Sequence, residues 1–255
     1  AAAWTAVAHT LKARFHMHWA EVEPGRYAQA LTQAQSGIKS VSHNWVAIHT
    51  NTATENNAWY QFSRDRSGYI SSGDYLLPLM RDGGDPRIAR YYTTVGGSYV
   101  SPAEAGAGDK SQLNDGGVGA PNAPFPLVTC AENYFIMAEA YHHAGQPANA
   151  IAAAKDALAC QEAYHGVSLA ARKAAFDGLS GSALRTRIME EKYAALFLNV
   201  ESWNDYKRTC LPAITPRVPE GIPARLFYGE AERQTNPNIP TAAEQATFGT
   251  HGFRA

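Results

Sequence analysis

Apolar residues recur at helical spacing along most of the chain, and the breaks between them predict where helices stop. Trp4, Val7, Ala8, Leu11 and Phe15 predict a helix over roughly residues 3–20. Pro24 and Gly25 interrupt it, and Tyr27, Ala30 and Leu31 begin a second helix over 25–38. In Ala138–Leu158, Gly145 ends a helix of 127–145 and Pro147 fits the first turn of another over 147–161. Ala150, Ile151, Ala157 and Leu158 face back toward the first of that pair. A further helix is predicted over 168–179. Met189, Tyr193, Leu196 and Val200 fall at i, i+4, i+7 and i+11, predicting one long helix over 182–206. Glu190, Glu191 and Lys192 supply its polar face.

Residues 41–126 differ in texture. Pro78, Pro86, Pro102, Pro121, Pro124 and Pro126, with the pairs Gly83-Gly84, Gly96-Gly97 and Gly116-Gly117, exclude long helices. One short helix is expected near Ile70–Met80, and one hairpin among residues 44–50 and 90–100. Val100–Ala123 reads as an exposed, mobile loop. After Pro212, Pro216, Pro219 and Pro223 the tail 211–255 is expected to be extended, loosening over 241–255.

The 138–158 pattern resembles a tetratricopeptide (TPR) unit, an antiparallel helix pair with a tight Gly-containing turn. Arg14–Ile38 has a similar shape. One such unit cannot bury its apolar face alone and must stack on a neighbour. The expected fold is mostly α: a TPR-like pair in 1–40, a loop-rich insertion in 41–126, TPR-like helices in 127–210, and an extended tail.

Composition narrows the class. The 255 residues, 45% hydrophobic, suffice for a real core as one large domain or two small ones. A net charge of −1 provides no basic footprint for nucleic acid. No run of 18 apolar residues occurs, so no transmembrane helix is predicted. The chain opens inside a helix, as the processed remainder of something longer would. Its three cysteines form no CxxC pair. Cys130 and Cys160 lie level on either side of the Gly145 turn, so a disulfide is feasible there, as are two buried thiols. Cys210 reads as a lone buried thiol.

No cofactor or metal signature is present: there is no HExxH, GxSxG or phosphate-binding Gly loop. His16 and His18 point to different helix faces. Glu190, Glu191, Glu201 and Asp205 read as a solvated or salt-bridged face, although a carboxylate pair for glycoside hydrolysis need not be close in sequence. The aromatics of the insertion carry more. A flat ring on a loop stacks on a pyranose face while Asn or Arg bonds its hydroxyls. The expected ligand-binding residues are Trp45, Trp59, Tyr60 and Tyr69 for stacking, with Asn57 and Arg64 for hydroxyls; the competing role is stapling loops to the core.

Several segments together resemble the SusD/RagB family, the glycan-capturing outer-membrane lipoproteins of polysaccharide-uptake systems. They are Asp85-Pro86-Arg87-Ile88-Ala89-Arg90-Tyr91-Tyr92; Phe125–Glu132 followed by Phe135–Ala140; Ile188–Phe197 continuing into Glu201–Thr209; and Ile222–Pro240. The likeness covers about residues 10–240 and corresponds to the C-terminal half of a typical member, without its lipobox Cys. It implies a non-catalytic binding protein at the cell surface, lipid-anchored in its precursor. Such a protein passes an oligosaccharide or other nutrient to a SusC-like TonB-dependent transporter. The residues themselves have local readings: Arg87 is available to Asp85, Asp205 pairs with Arg208, and Arg225 and Glu230 pin the tail. Two alternatives remain, a TPR-type assembly protein forming homo-oligomers and a glycoside hydrolase on a helical scaffold.

Overall fold

The computed structural model describes residues 2–216, 222, 228–241 and 244. Two helices open it, α1 (Ala2–Trp19) and α2 (Arg26–Gln35). The insertion follows, with strand β1 (Trp45–Ala47), the short helices α3 (Ala58–Asp65), α4 (Leu76–Asp82), α5 (Ile88–Tyr91) and α6 (Pro102–Ala105), and strand β2 (Phe125–Val128). The second half holds α7 (Cys130–His143), α8 (Pro147–His165), α9 (Ala170–Ala174), α10 (Gly181–Ala195), α11 (Glu201–Thr209) and α12 (Glu230–Thr235). The fold is mostly α, as the periodicity predicts.

The two helix pairs, far apart in sequence, stack directly, with α2 against α7. Small residues make this close approach possible. Ala13, Ala30 and Ala34 are fully buried against Ile136 on one side of α7. Ala150, Ala153, Ala154 and Ala157 face Phe135 and Ala138 on the other. A polar knot fixes the register: the Thr10 hydroxyl donates to Asn133 Oδ1 at 3.0 Å and accepts from Ile38 N at 2.9 Å. Asn133 Nδ2 donates to Ala34 O at 3.0 Å. Gly37 is required there, because a Cβ would sit 2.1 Å from Asn133 Oδ1. Between α7 and α8, Gly145 takes φ 69°, a conformation in which a Cβ is strained. A disulfide joins Cys130 to Cys160, with Cα atoms 6.1 Å apart. Cys210 is half-buried at the end of α11 with φ 56°.

Several sequence expectations need correction. The predicted long helix 182–206 is two helices. Leu198 turns left-handed at φ 64°, and Asn199 accepts the Glu201 amide while donating to Pro126 O at 3.1 Å. The apolar spacing runs through this break, but Val200 is left exposed. The helix expected over 168–179 shrinks to α9. The partner of β1 is not 90–100 but β2, antiparallel, with Trp45 opposite Val128 and Ala47 opposite Phe125. The helix expected near Ile70–Met80 starts only at Leu76, as α4, and Pro78 falls in its first turn, where the missing N–H is not needed. Val100–Ala123 is not an exposed loop throughout. Ser101, Ser111 and Leu113 are buried, and Ser72 N donates to Ser111 O at 2.8 Å. The tail expected to be extended contains α12, where Glu230 is exposed and bonded within its own helix. Arg225 and nearly all of 242–255 lie outside the described residues.

Charge is buried at the centre. Arg87 and Asp85 are fully buried and paired at 2.6 Å, and Arg87 also reaches Glu191 of α10 at 2.8 Å. Arg172 adds a second cation to Glu191 at 2.7 Å. In a parallel cluster Glu139 takes both arms of Arg208 at 2.5 and 2.6 Å, and Asp205 binds Arg208 and Lys192. Burial alone would raise the Asp85 and Glu139 pKa values; the guanidinium partners outweigh it, holding Asp85 below its usual range and Glu139 at about 2. The expected ion pairs within Asp85–Arg87 and Asp205–Arg208 are therefore internal braces. Among the described residues no helix is long and apolar enough to cross a membrane.

Candidate functional site

Helix α3 forms one wall of an open cavity of about 370 Å³. Its position follows from its cap. Asn57 Oδ1 accepts Trp59 N at 2.9 Å, and Asn57 Nδ2 donates to Ala123 O at 2.9 Å. The Asn57 backbone amide donates to Pro121 O at 2.7 Å, so the helix start is held to the 121–123 segment by two bonds. Tyr60, Ser63 and Arg64 then line the cavity from α3. The opposite wall is Thr93, Gln112, Leu113 and Asp115, brought together by short antiparallel bridges, Ser71 with Gln112 and Tyr92 with Leu113. Thr93 and Gln112 exchange hydrogen bonds at 3.0 and 3.1 Å. Gly68, at φ 81°, makes the turn that returns the chain from α3 to this wall.

The cavity mixes one half-buried ring, Tyr60, with a cation, Arg64, and a carboxylate, Asp115. Arg64 is exposed and paired with its neighbour Asp65 at 2.8 Å. Ser63 Oγ is buried and makes no hydrogen bond to protein. An unpartnered buried hydroxyl is uncommon and is explained when a ligand or water completes it.

The expected site residues separate into groups. Tyr60 and Arg64 line this cavity. Tyr69 lies between two lining residues, Gly68 and Ile70, three-quarters exposed and edge-on to Phe62 at 6.4 Å. Trp59 is half-buried on α3 but does not line the cavity. Trp45 sits on β1 against Trp4, ring centroids 5.7 Å apart, and is not part of this wall. Asn57 is 1% exposed with its amide committed to the α3 cap, so it is not placed to bind hydroxyls. Ser63, Thr93, Gln112 and Asp115 were not anticipated. Their only sequence signal is a Ser, Gln and Asp content no different from any surface loop, and the pairing of three distant segments creates the wall.

One trio among the described residues, Glu21, Glu139 and His143, could offer metal ligands within 4.8 Å of one another. Both carboxylates are already neutralised, Glu139 by Arg208 and Glu21 by Arg185 and the Tyr27 hydroxyl. A cation would have to displace guanidinium groups, so the trio fits an ion-pair network better than a metal centre.

A sequence profile of the SusD-like proteins, described as starch-binding and associating with the outer membrane, matches residues 1–229. No curated protein matches the sequence significantly. Among solved structures the fold is similar to a chitin-binding protein, at TM-score 0.75 and 23% identity over 97% of this chain and 62% of that one. It is likewise similar to a chitin-binding SusD homolog from Flavobacterium johnsoniae, at 0.74 and 17% over 98% and 60%. A SusD homolog from Bacteroides thetaiotaomicron aligns at 0.73 and 19% over 92% and 59%. At such identities the likeness is one of fold, and this chain spans about three-fifths of each of those structures. With the profile covering nearly the whole described sequence, the chain belongs to the SusD-like family.

Proposed function

We propose that this chain is a non-catalytic capture protein for an oligosaccharide at the bacterial cell surface, and that the α3 cavity holds one sugar unit. The carrying observation is the unpartnered Ser63 Oγ in a cavity that Tyr60 also lines and whose charged groups are a cation, Arg64, and a carboxylate, Asp115. Tyr60 supplies a stacking face, Arg64 donates to hydroxyl or carbonyl oxygens, and Asp115 accepts from hydroxyls. Tyr69 extends the face at the rim. Chitin is bound by two of the structural relatives, which makes N-acetylglucosamine oligomers the first ligands to test here. Delivery to a SusC-like TonB-dependent transporter, with a lipid anchor on the precursor, completes the reading by family resemblance. Glycoside hydrolysis takes a pair of carboxylates, and Asp115 is the only one among the described residues that line the cavity.

The test is isothermal titration with chito- and malto-oligosaccharides, each mixture then assayed for new reducing ends. Binding without new ends is expected. Tyr60→Ala and Arg64→Ala are each expected to weaken it at least tenfold. Unchanged affinity in both variants, or release of reducing ends, would overturn the reading.

A second reading rests on α1. Trp4, Phe15 and Trp19 are each more than half exposed along one stripe of this helix, and Val22, in the turn after it, is exposed as well. Such a face suits association with another copy of the chain. Sedimentation over a range of concentrations tests it, and a monomer at all of them would dismiss it.

A further inference from the structure

The disulfide between α7 and α8 is unevenly sheltered. Cys130, the first residue of α7, is fully buried. Cys160 of α8 keeps 7% exposure and borders an open cleft of about 300 Å³. Cys130 is not among the described residues that line this cleft. Ala159 and Ala163, exposed on α8 beside Cys160, add only methyl groups to its wall. Lys39 and Asp156, both exposed, bring charge of either sign to the same cleft. The Lys39 ammonium is held 4.8 Å from the Tyr134 ring centroid and donates to Ala34 O at 3.1 Å. A second cavity, of about 40 Å³, is lined by both cysteines together with buried Tyr91 and Gln161.

Exchange at a disulfide is decided by which sulfur a thiolate can reach and how readily the other one leaves. Access selects Cys160, the cysteine on the open cleft. Departure selects Cys130, which opens a 14-residue helix whose aligned amides favour negative charge at that end. The carboxylate in the same turn, Glu132, is matched by Arg14 at 2.6 Å and so does not oppose a thiolate there. The smaller cavity gives the two sulfurs room to part. Lys39 and Asp156 complement the carboxylate and ammonium groups of an amino-acid thiol. We propose that Cys160 is a site of S-thiolation by a small amino-acid thiol such as glutathione, entering through the Lys39–Asp156 cleft. The incoming thiolate sulfur bonds Cys160 Sγ and the Sγ–Sγ bond breaks. Its electron pair leaves on Cys130 Sγ, which takes up the proton that the incoming thiol released. The site does not depend on the glycan reading, since neither cysteine lines the α3 cavity.

The experiment treats the folded, oxidised chain with reduced glutathione at neutral pH, quenches with acid and maps the adduct by peptide mass spectrometry. The free thiol of Cys210 does not react with reduced glutathione, so the disulfide alone is read. Glutathione is expected on Cys160, at a rate proportional to its concentration and unchanged in urea below the unfolding transition. Ala163→Trp, which fills the cleft from an exposed position without touching either sulfur, is expected to slow the reaction by about tenfold or more. Lys39→Ala is expected to slow glutathione more than uncharged 2-mercaptoethanol. Circular dichroism checks the fold of each variant; if Ala163→Trp fails to fold, the position of the adduct and the urea dependence decide. Glutathione on Cys130, a rate that climbs with urea as transient unfolding would make it, or no reaction in the folded chain would each overturn the proposal. So would an unchanged rate in folded Ala163→Trp, or equal slowing of both thiols by Lys39→Ala.

Discussion

Single residues in this protein are decided by what surrounds them more than by their type. Arg87 reads in sequence as a turn residue beside Asp85; the structure buries it completely, bound to Asp85 and Glu191. Removing one member of a buried pair strands the others, so Arg87→Ala is expected to cost about 3–5 kcal/mol, read as a fall in the urea midpoint. Gly37→Ala drives a Cβ into Asn133 Oδ1 and is expected to cost about 1–3 kcal/mol by the same measurement. His165 carries a pH dependence. Burial, reinforced by the charges of Arg87 and Arg90, pushes its imidazole down to about 4. The unfolded residue titrates near 6.5, so below that pH the unfolded chain takes up a proton that the folded chain refuses. Stability contributed by neutral His165 is complete above pH ~6.5 and is lost as the pH falls toward ~4, by on the order of 2 kcal/mol. His165→Gln is expected to flatten denaturation midpoints measured between those values, and an unchanged slope would rule the group out. The pair chemistry of Asp85 and Arg87 was legible in sequence; burial, which makes it expensive to remove, was not.

At the scale of elements, legibility followed the strength of the local signal. Helices α1, α2, α7 and α8 were readable because apolar spacing, Pro and Gly all agree there. The break between α10 and α11 was not, because the apolar spacing of Leu196 and Val200 runs across it, while Leu198 turns left-handed and Asn199 bonds a distant segment at Pro126. The small helices of the insertion lack the length to show a period, and α3 depends on a cap whose partner, Ala123, lies at the far end of the same insertion. This explains the divided fate of the site residues. Tyr60 and Arg64, one helical turn apart on α3, face one cavity. Asn57, three residues earlier, is consumed in holding the helix. The helix pair α7 and α8 is also tied covalently. Closing 30 residues of chain with a disulfide stabilises by roughly 3.5 kcal/mol in the loop-entropy account, so Cys130→Ser with Cys160→Ser is expected to lower the urea midpoint to match. Equal midpoints with and without reductant would contradict it.

The molecule as a whole is a stack of helix pairs with an irregular cap, and the resemblance carried by four short motifs identified the family before any contact was known. What could not be read was the assembly of the cap. Its walls are made where residues near 71, 93 and 112 meet, and no period in sequence links them. The stripe on α1 was visible as helical spacing, but spacing alone does not tell a buried stripe from an exposed one.

The buried charges also determine where force goes. Asn114, beside the Asp115 wall, donates to Ala89 O at 2.7 Å, and Asn114 N to Tyr91 O at 2.9 Å, so the cavity wall hangs on α5. Helix α5 follows directly on Arg87, which grips Glu191, and the Tyr91 hydroxyl donates to Ala194 O at 3.0 Å. A tug on a polymer seated in the cavity would therefore be transmitted through α5 into the long helix α10 and the stack behind it. Salt, which reaches these sealed ion pairs poorly, would do little to weaken that mounting.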